Sequence, residues 1–426
     1  MKNDKLALFG GHKIIRTIFK RYNSIGREEI SAVNKVMKTG ILSNFIANRS
    51  EQFYGGTKVR EFEEMCQKYF NVKRAITVNS WTSGLIAAVG ALDINPGDEI
   101  IVSPWTMCAT ATAIIHWNAI PVFADIENKT FNLDPKEVEK KITSKTKAIM
   151  SVDIFGHPGP MNELKKIAKK YKLKIISDAA QSPAAMYKNK YAGTMVDIGG
   201  ISLNCHKHIQ TGEGGVLFTN DLKLAKRMCL IRNHAEAIVE GNTPKNLANM
   251  IGYNFRLGEI ECAIGIEQLK KLKSIIYLRQ QMAKKLNKEL KNLIGLRLPT
   301  VKKGCTHSYY AYPMVIDTTL LGVSKKKIFD ALVAEGVQGL QIKFTNAHRL
   351  PMFLNKIAYG DKNFPWTYNK KSKKIKYGKG TCPVAEDLQD NTYMGLGMFV
   401  YDYTESDIDL IIKSFKKVWS NLHILK

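Results

Sequence analysis

The polar loop at residues 202–215 contains the side chain that first suggests covalent chemistry. Apolar runs at 197–203 and 215–219 flank it and predict buried strands, so we expect the loop at strand ends in an α/β core. Lys207 lies in this loop. A lysine at a core edge loses its proton readily, because removal from water disfavours the ammonium form. The neutral amine could form a Schiff base with a carbonyl compound or with pyridoxal phosphate (PLP). The alternative is a solvated lysine, since the chain is rich in them.

A second candidate group lies at the end of the strand that precedes this loop. The carboxylate of Asp178 could pair with a pyridinium nitrogen and keep it protonated. Gln181, three residues later, could hydrogen-bond the ring hydroxyl or pack near the ring. An aspartate at a strand–helix junction is also a common helix cap, and the residues alone leave both roles open.

The segment 80–84 predicts the start of a helix that could bind an anion. Backbone amides at a helix N-terminus, together with the hydroxyls of Thr82 and Ser83, make a phosphate site. An ordinary capping sequence contains the same residues, so this alternative also stays open.

The elements around these residues alternate between strands and helices. Such alternation indicates a mostly parallel sheet with helices on both faces, in which ligands bind at the carboxyl ends of the strands. Neither a Gly-x-Gly-x-x-Gly turn after the first strand nor a P-loop sequence occurs, which disfavours dinucleotide and P-loop nucleotide sites. Strands are predicted at 75–79, 99–102, 121–124, 148–152 and 174–178, with helices at 82–92, 106–117, from 134, and 161–171.

The rest of the chain predicts a second, smaller unit. Amphipathic helices are expected at 25–37 and 59–70, and a long one at 257–296 is suited to joining two domains. A strand at 310–316, helices at 325–334 and 407–422, and a lysine- and glycine-rich loop at 355–380 follow. We therefore predict a large domain at 1–296 and a small C-terminal α/β domain at 297–426.

Composition limits the class of protein. The 426 residues are 45% apolar and 24% charged, as in globular proteins, and no apolar run approaches the roughly 20 residues that span a bilayer. We expect no membrane segment, no signal peptide and a cytoplasmic location. The formal charge of +26 comes from lysines spread along the chain, which favours phosphorylated ligands over nucleic acid.

The seven cysteines form no Cys-x-x-Cys pair. This spacing argues against a disulfide framework and a zinc site, so no metal is expected. Cys205 lies two residues from Lys207, and a small buried thiol is the expected state of its side chain.

The order of these motifs resembles the DegT/DnrJ/EryC1/StrS family of PLP-dependent sugar aminotransferases, which have PLP-transferase fold type I. The motifs are the helix start at 80–84, Asp-x-x-Gln at 178–181, Ser-x-x-x-x-Lys at 202–207 and Gly-Glu-Gly-Gly at 212–215. Similar segments at 95–102, 119–125 and 252–265 extend the resemblance over most of the chain. It implies a large PLP-binding domain, with a mostly parallel mixed sheet between helices, and a smaller C-terminal α/β domain.

The resemblance also implies roles for individual residues. Lys207 would bind the cofactor covalently and move the proton, Asp178 would hold the pyridine nitrogen, and Gln181 would contact the ring. Thr82, Ser83 and Ser202 would bind the phosphate.

Two further roles concern the subunit partner and the substrate. Asn254 would reach the phosphate of the neighbouring subunit, which implies a homodimer with shared active sites. His348 corresponds to a histidine that tends to lie near the substrate, although a surface histidine is the alternative.

Two positions need comment. Many relatives have an aromatic residue stacked on the ring where this chain has Met107, and Trp105 either replaces it or points away. Relatives that act as sugar 3-dehydratases have histidine in place of the lysine. Here His206 and His208 flank Lys207, and the lysine itself favours transamination.

The implied reaction transfers an amino group from glutamate or glutamine to a keto-sugar, often nucleotide-linked, for polysaccharide, O-antigen or amino-sugar biosynthesis. Sugar dehydration and cyclitol transamination are alternatives on the same scaffold. A PLP-binding regulatory protein without turnover is another, and the presence of Lys207, Asp178 and Gln181 argues against it.

Overall fold

The computed structural model describes residues 5–48, 50–235 and 251–426. Within them lie two principal sheets and a small hairpin. The strands are β1 (Arg74–Val78), β2 (Glu99–Val102), β3 (Ile120–Phe123), β4 (Thr146–Val152), β5 (Lys174–Asp178), β6 (Met186–Tyr187), β7 (Lys190–Tyr191), β8 (Ile198–Ser202), β9 (Gly215–Thr219), β10 (Leu296–Arg297), β11 (Tyr312–Ile316), β12 (Leu340–Gln341) and β13 (Tyr393–Leu396).

Helices of very different length surround these sheets. Over the same residues they are α1 (Arg27–Thr39), α2 (Thr57–Phe70), α3 (Trp81–Gly90), α4 (Cys108–His116), α5 (Pro135–Lys140), α6 (Met161–Tyr171), α7 (Leu222–Arg232), α8 (Glu259–Leu290), α9 (Thr318–Leu321), α10 (Lys325–Ala334), α11 (Pro351–Leu354), α12 (Lys370–Lys374), α13 (Pro383–Asp387) and α14 (Glu405–Ser420).

The larger sheet is mixed, as predicted. Its seven strands in the described part of the chain have the order β1-β9-β8-β5-β4-β2-β3. The strands from β8 to β3 run parallel to their neighbours, whereas β9 is antiparallel to both β1 and β8. Strands β2, β8 and β9 are buried along their whole length, which explains why they read as continuous apolar runs.

The strand directions bring the polar loops together. The parallel strands β5 and β8 end at the same edge, with Asp178 of β5 opposite Gly200 of β8. Ser202 ends β8 and pairs with Gly215, the first residue of β9. The residues between them form the lysine loop, so the loop and Asp178 share the carboxyl edge of the sheet.

A second sheet lies in the C-terminal part, where β10-β11-β13-β12 are antiparallel. Its core contains the end of α8 together with α10 and α14, and the N-terminal residues Leu6, Ile15 and Phe19 pack into it. Buried Glu335 holds this N-terminal segment, because its Oε1 accepts from Ala7 N at 2.8 Å.

Residues of the C-terminal part also pack on the larger sheet. Ala347, Phe353 and Trp366 belong to the core that contains α3 and α4. Packing therefore crosses residue 296 in both directions, and the division into 1–296 and 297–426 stays a prediction. The segment predicted as a loop at 355–380 contains the short helix α12.

Candidate active site

A cavity of about 990 Å³ opens at the carboxyl edge of the larger sheet. It is bounded by the start of α3, the start of α4, the end of β5, the lysine loop and the segment after β12. Six of the residues singled out from the sequence line it, namely Thr82, Met107, Asp178, Gln181, Ser202 and Lys207. The fold therefore brings together side chains that are up to 125 positions apart in the chain.

Lys207 supplies an amine with unusual acidity. Burial lowers the pKa of its ammonium to about 8, and the charge of Asp178 opposes part of this effect. The Nζ atom lies 4.7 Å from the centre of the Tyr310 ring. A cation over an aromatic face is attracted by the ring electrons, which helps to hold the side chain in the cavity.

Asp178 lies buried at the floor of the cavity, with 5% of its surface exposed. Its Oδ1 accepts from the indole Nε1 of Trp81 at 2.7 Å, and its Oδ2 accepts from Thr110 Oγ1 at 2.8 Å. Ala180 N donates to the same Oδ1 at 3.2 Å. Three donors from three segments therefore fix the orientation of the carboxylate.

Gln181 has a defined orientation beside Asp178. Its Oε1 accepts from the backbone N of Phe155 at 2.9 Å. A side-chain amide has one acceptor end and one donor end, so this bond leaves the NH₂ end as the donor toward the cavity.

The two hydroxyl groups predicted to bind phosphate at the start of α3 have different surroundings. Thr82 lines the cavity, but Ser83 does not. Ser83 Oγ instead donates to Asn79 Oδ1 at 2.7 Å, while Ser80 Oγ caps the helix by accepting from Ser83 N at 3.1 Å. Of the three hydroxyl groups predicted to bind phosphate, those of Thr82 and Ser202 therefore line the cavity beside the start of α3.

The side chain at the predicted ring-stacking position is Met107. It is 62% exposed and lines the cavity at the start of α4. Trp105 is fully buried and stacks on Phe344, with ring centres 5.3 Å apart. Of the two alternatives for Trp105, the structure shows the one in which it does not line the cavity.

Two further predicted residues, besides Ser83, lie outside this cavity. Asn254 is exposed, and its Oδ1 accepts from Arg256 Nε at 2.8 Å. His348 is fully buried, with Nε2 2.9 Å from Glu386 Oε1. Burial lowers the pKa of this imidazole. The burial of His348 rules out the surface-histidine alternative, and its contact with a substrate stays a prediction.

The structure also corrects one expectation and adds residues that the sequence did not suggest. Cys205 is exposed and is not a buried thiol. Tyr310 and Phe399 form an aromatic wall of the cavity, stacked with ring centres 4.3 Å apart. Lys343 also lines it. Tyr310 begins the predicted strand 310–316, so its place at a strand end was the one available signal.

The residues of this cavity fit PLP. A lysine amine and a buried carboxylate line the same cavity of about 990 Å³, and a helix N-terminus with a hydroxyl group is available for a phosphate. The described residues contain no cluster of His, Cys, Asp or Glu that could hold a metal ion.

A comparison with family models places the chain among known proteins. The model described as the DegT/DnrJ/EryC1/StrS aminotransferase family matches residues 25–390. The chain belongs to this family. Its members are PLP-dependent sugar aminotransferases with fold type I, so the chain is an enzyme of this class.

Several similar proteins in this family have names that refer to nucleotide-linked sugars. The GDP-perosamine synthase of Escherichia coli O157:H7 is 33% identical over 71% of this chain and 80% of its own length. The UDP-4-amino-4,6-dideoxy-N-acetyl-beta-L-altrosamine transaminase of Campylobacter jejuni subsp. jejuni serotype O:23/36 is 31% identical over 78% and 85%. The structure of Helicobacter pylori PseC, an aminotransferase involved in the biosynthesis of pseudoaminic acid, superposes with a TM-score of 0.76 at 26% identity over 95% and 99%.

No helix in the parts of this family member that the structure describes is both long and apolar enough to cross a bilayer.

Proposed function

We propose that this enzyme transfers the amino group of glutamate or glutamine to a keto-sugar carried on a nucleotide, with PLP bound at Lys207. The observation that carries the proposal is the Lys207 amine, with its pKa lowered to about 8, in one cavity with the Asp178 carboxylate. The similarity to a GDP-perosamine synthase and to a transaminase of a UDP-linked amino sugar supports a nucleotide sugar as the acceptor.

Each residue would act on a different part of the bound cofactor. Lys207 would hold it, Asp178 would keep its ring nitrogen protonated, and the NH₂ group of Gln181 would donate to the ring oxygen. Thr82, Ser202 and the start of α3 would bind the phosphate. Met107 would pack against the ring face with a flexible, polarisable side chain.

The bound cofactor would supply an electron sink for the charge left when the amino donor loses its Cα proton. The neutral Nζ of Lys207 would take that proton and deliver it as a general acid. The aromatic wall of Tyr310 and Phe399 would shield the amine from water. The same residues would carry out these proton transfers in reverse order when the keto-sugar is aminated.

A second subunit would complete the site. Asn254 is exposed and lies outside the cavity of its own chain, so its side chain is available to a neighbour. We propose a homodimer in which Asn254 contacts the phosphate bound by the partner.

Isotope transfer tests this function. The enzyme, loaded with PLP, is incubated with glutamate or glutamine labelled with ¹⁵N at the α-amino group and with GDP- and UDP-linked keto-sugars. We expect mass spectrometry to show a labelled amino-sugar nucleotide, which is absent with the Lys207→Ala variant. Loss of water without label would indicate dehydration instead. A lack of product from every acceptor, despite PLP binding, would contradict amination of a nucleotide sugar.

A further inference from the structure

Trp81 makes the shortest of the hydrogen bonds to the Asp178 carboxylate. The indole Nε1 donates to Oδ1 at 2.7 Å, across 97 positions of sequence, and 6% of Trp81 is exposed. Glycines make room for the indole. A Cβ atom at Gly200 would lie 2.4 Å from its ring, and one at Gly215 would lie 2.9 Å from the Cα of Trp81. The absence of side chains at Gly200 and Gly215 therefore lets Trp81 pack directly against the backbone of the sheet.

The donors leave Asp178 with a restricted set of acceptor positions. Each oxygen of an ionised carboxylate accepts about two hydrogen bonds. Oδ1 already accepts from Trp81 Nε1 and from Ala180 N at 3.2 Å. Oδ2 accepts from Thr110 Oγ1 at 2.8 Å, which leaves one further direction on Oδ2.

The chemistry of the donors makes this arrangement directional. An indole N–H and a backbone N–H only donate, so both use Oδ1 as an acceptor. Ser80 caps α3 and thereby fixes Trp81, the first residue of that helix. The three donors thus hold the Asp178 carboxylate in one orientation.

We propose that Trp81 and Thr110 are positioning residues that leave Oδ2 of Asp178 as the acceptor for the protonated ring nitrogen of PLP. This inference rests on the proposed function, because it concerns the same cofactor. Neither residue reacts. They act by holding the carboxylate that contacts the ring.

The variant Trp81→Phe tests the proposal, with Trp117→Phe as a matched control. Trp117 is also buried in the same core, but its Nε1 donates to the carbonyl of Ile86 at 2.7 Å. Loss of a bond to a charged group is expected to raise the Kd for PLP roughly ten- to a hundredfold in Trp81→Phe. The kcat should fall while the KM for the amino donor changes little. Trp117→Phe should keep the wild-type Kd.

A measurement without cofactor separates this inference from the proposed function. In the ¹⁵N spectrum of the apoprotein, the indole signal of Trp81 is assigned by its loss in Trp81→Phe. Substitution Asp178→Ala should move this signal and leave that of Trp117 in place. If PLP fails to bind the wild type, the function fails, while this spectrum still reports the hydrogen bond.

A second pair of variants applies if Trp81→Phe does not fold. Thr110→Val removes the hydroxyl and Thr110→Ser keeps it, so only the former should weaken PLP binding. Wild-type Kd and kcat in folded Trp81→Phe, an indole signal that ignores Asp178→Ala, or equal Kd values in the two Thr110 variants would each overturn the proposal.

Discussion

At the scale of single residues, the proposed chemistry depends on the amine of Lys207 and the carboxylate of Asp178. The two groups line one cavity, and burial outweighs the charge of Asp178 in setting the pKa of Lys207 near 8. At pH 7.5 about a quarter of such amines are neutral, compared with about 0.1% for a lysine with the ordinary pKa of about 10.4. The residue can therefore serve as nucleophile and base at physiological pH.

Cofactor capture should show this pKa directly. Attack on PLP requires the neutral amine, which is scarce below pH 8 and dominant above it. We expect the second-order rate constant for PLP uptake by the apoprotein to rise with pH and level off above about pH 8, followed by stopped-flow absorbance. A rate constant that still rises tenfold per pH unit between pH 9 and 10 would show that Lys207 has an ordinary pKa or is not the reacting group.

At the scale of elements, a buried lysine positions one wall of the cavity. Lys325, the first residue of α10, is 7% exposed, and its Nζ donates to the carbonyls of Ile342, at 3.0 Å, and of Gln389. Gln389 lies in a π-helical turn, Leu388–Thr392, and its Oε1 accepts from Asn346 Nδ2 at 2.7 Å. These bonds hold the segment after β12, which lines the cavity.

The variant Lys325→Met should loosen this wall. Hydrogen bonds from a buried ammonium to two carbonyls strongly stabilise the position of the segment after β12. Without them we expect the KM for the sugar acceptor to rise roughly tenfold, with PLP binding unchanged. Lys326→Met is the control, because Lys326 is exposed and pairs with Asp330 on the same helix. Steady-state kinetics measures the KM for the sugar acceptor in both variants. Equal KM values in the two variants would mean that Lys325 does not position the substrate.

Helix and strand order could be predicted from the sequence, but their contacts could not. The predicted long helix at 257–296 is α8, Glu259–Leu290, because amphipathic periodicity is a local signal. The antiparallel direction of β9 could not be predicted from the sequence, since a strand buried on both faces is apolar whichever way it runs. The Trp81–Asp178 bond joins distant segments, and helix capping alone suggested only an anion site.

At the scale of the whole molecule, Asn254 is the predicted phosphate contact that a neighbouring subunit would supply. Asn254 lies outside the cavity of its own chain, next to Asn79, whose Nδ2 donates to the Asn254 carbonyl at 3.2 Å. The predicted domain boundary is also crossed by packing, because the N-terminal segment joins the C-terminal core. Sequence periodicity cannot show which distant apolar faces meet, so this packing could not be predicted.

Hybrid dimers test shared active sites. Chains with Lys207→Ala and chains with Asn254→Ala are each expected to lose activity as homodimers. If Asn254 serves the partner, each hybrid dimer has one intact site, and an equal, randomly reassembled mixture should recover about a quarter of wild-type activity. Mass measurement should give about twice the 47.9 kDa of one chain. Activity that stays at the level of the separate variants would place Asn254 in its own chain's site or outside catalysis.

The visible absorption spectrum, with and without an amino donor, tests the central claim most directly. PLP is added to wild type, Lys207→Ala and Lys343→Ala, the last being a second lysine that lines the cavity. We expect a visible band in wild type and Lys343→Ala that disappears when glutamate or glutamine is added, and no such protein-bound response in Lys207→Ala. A wild-type protein that develops no band with PLP, or a band in Lys207→Ala that responds to the donor as in wild type, would contradict the account.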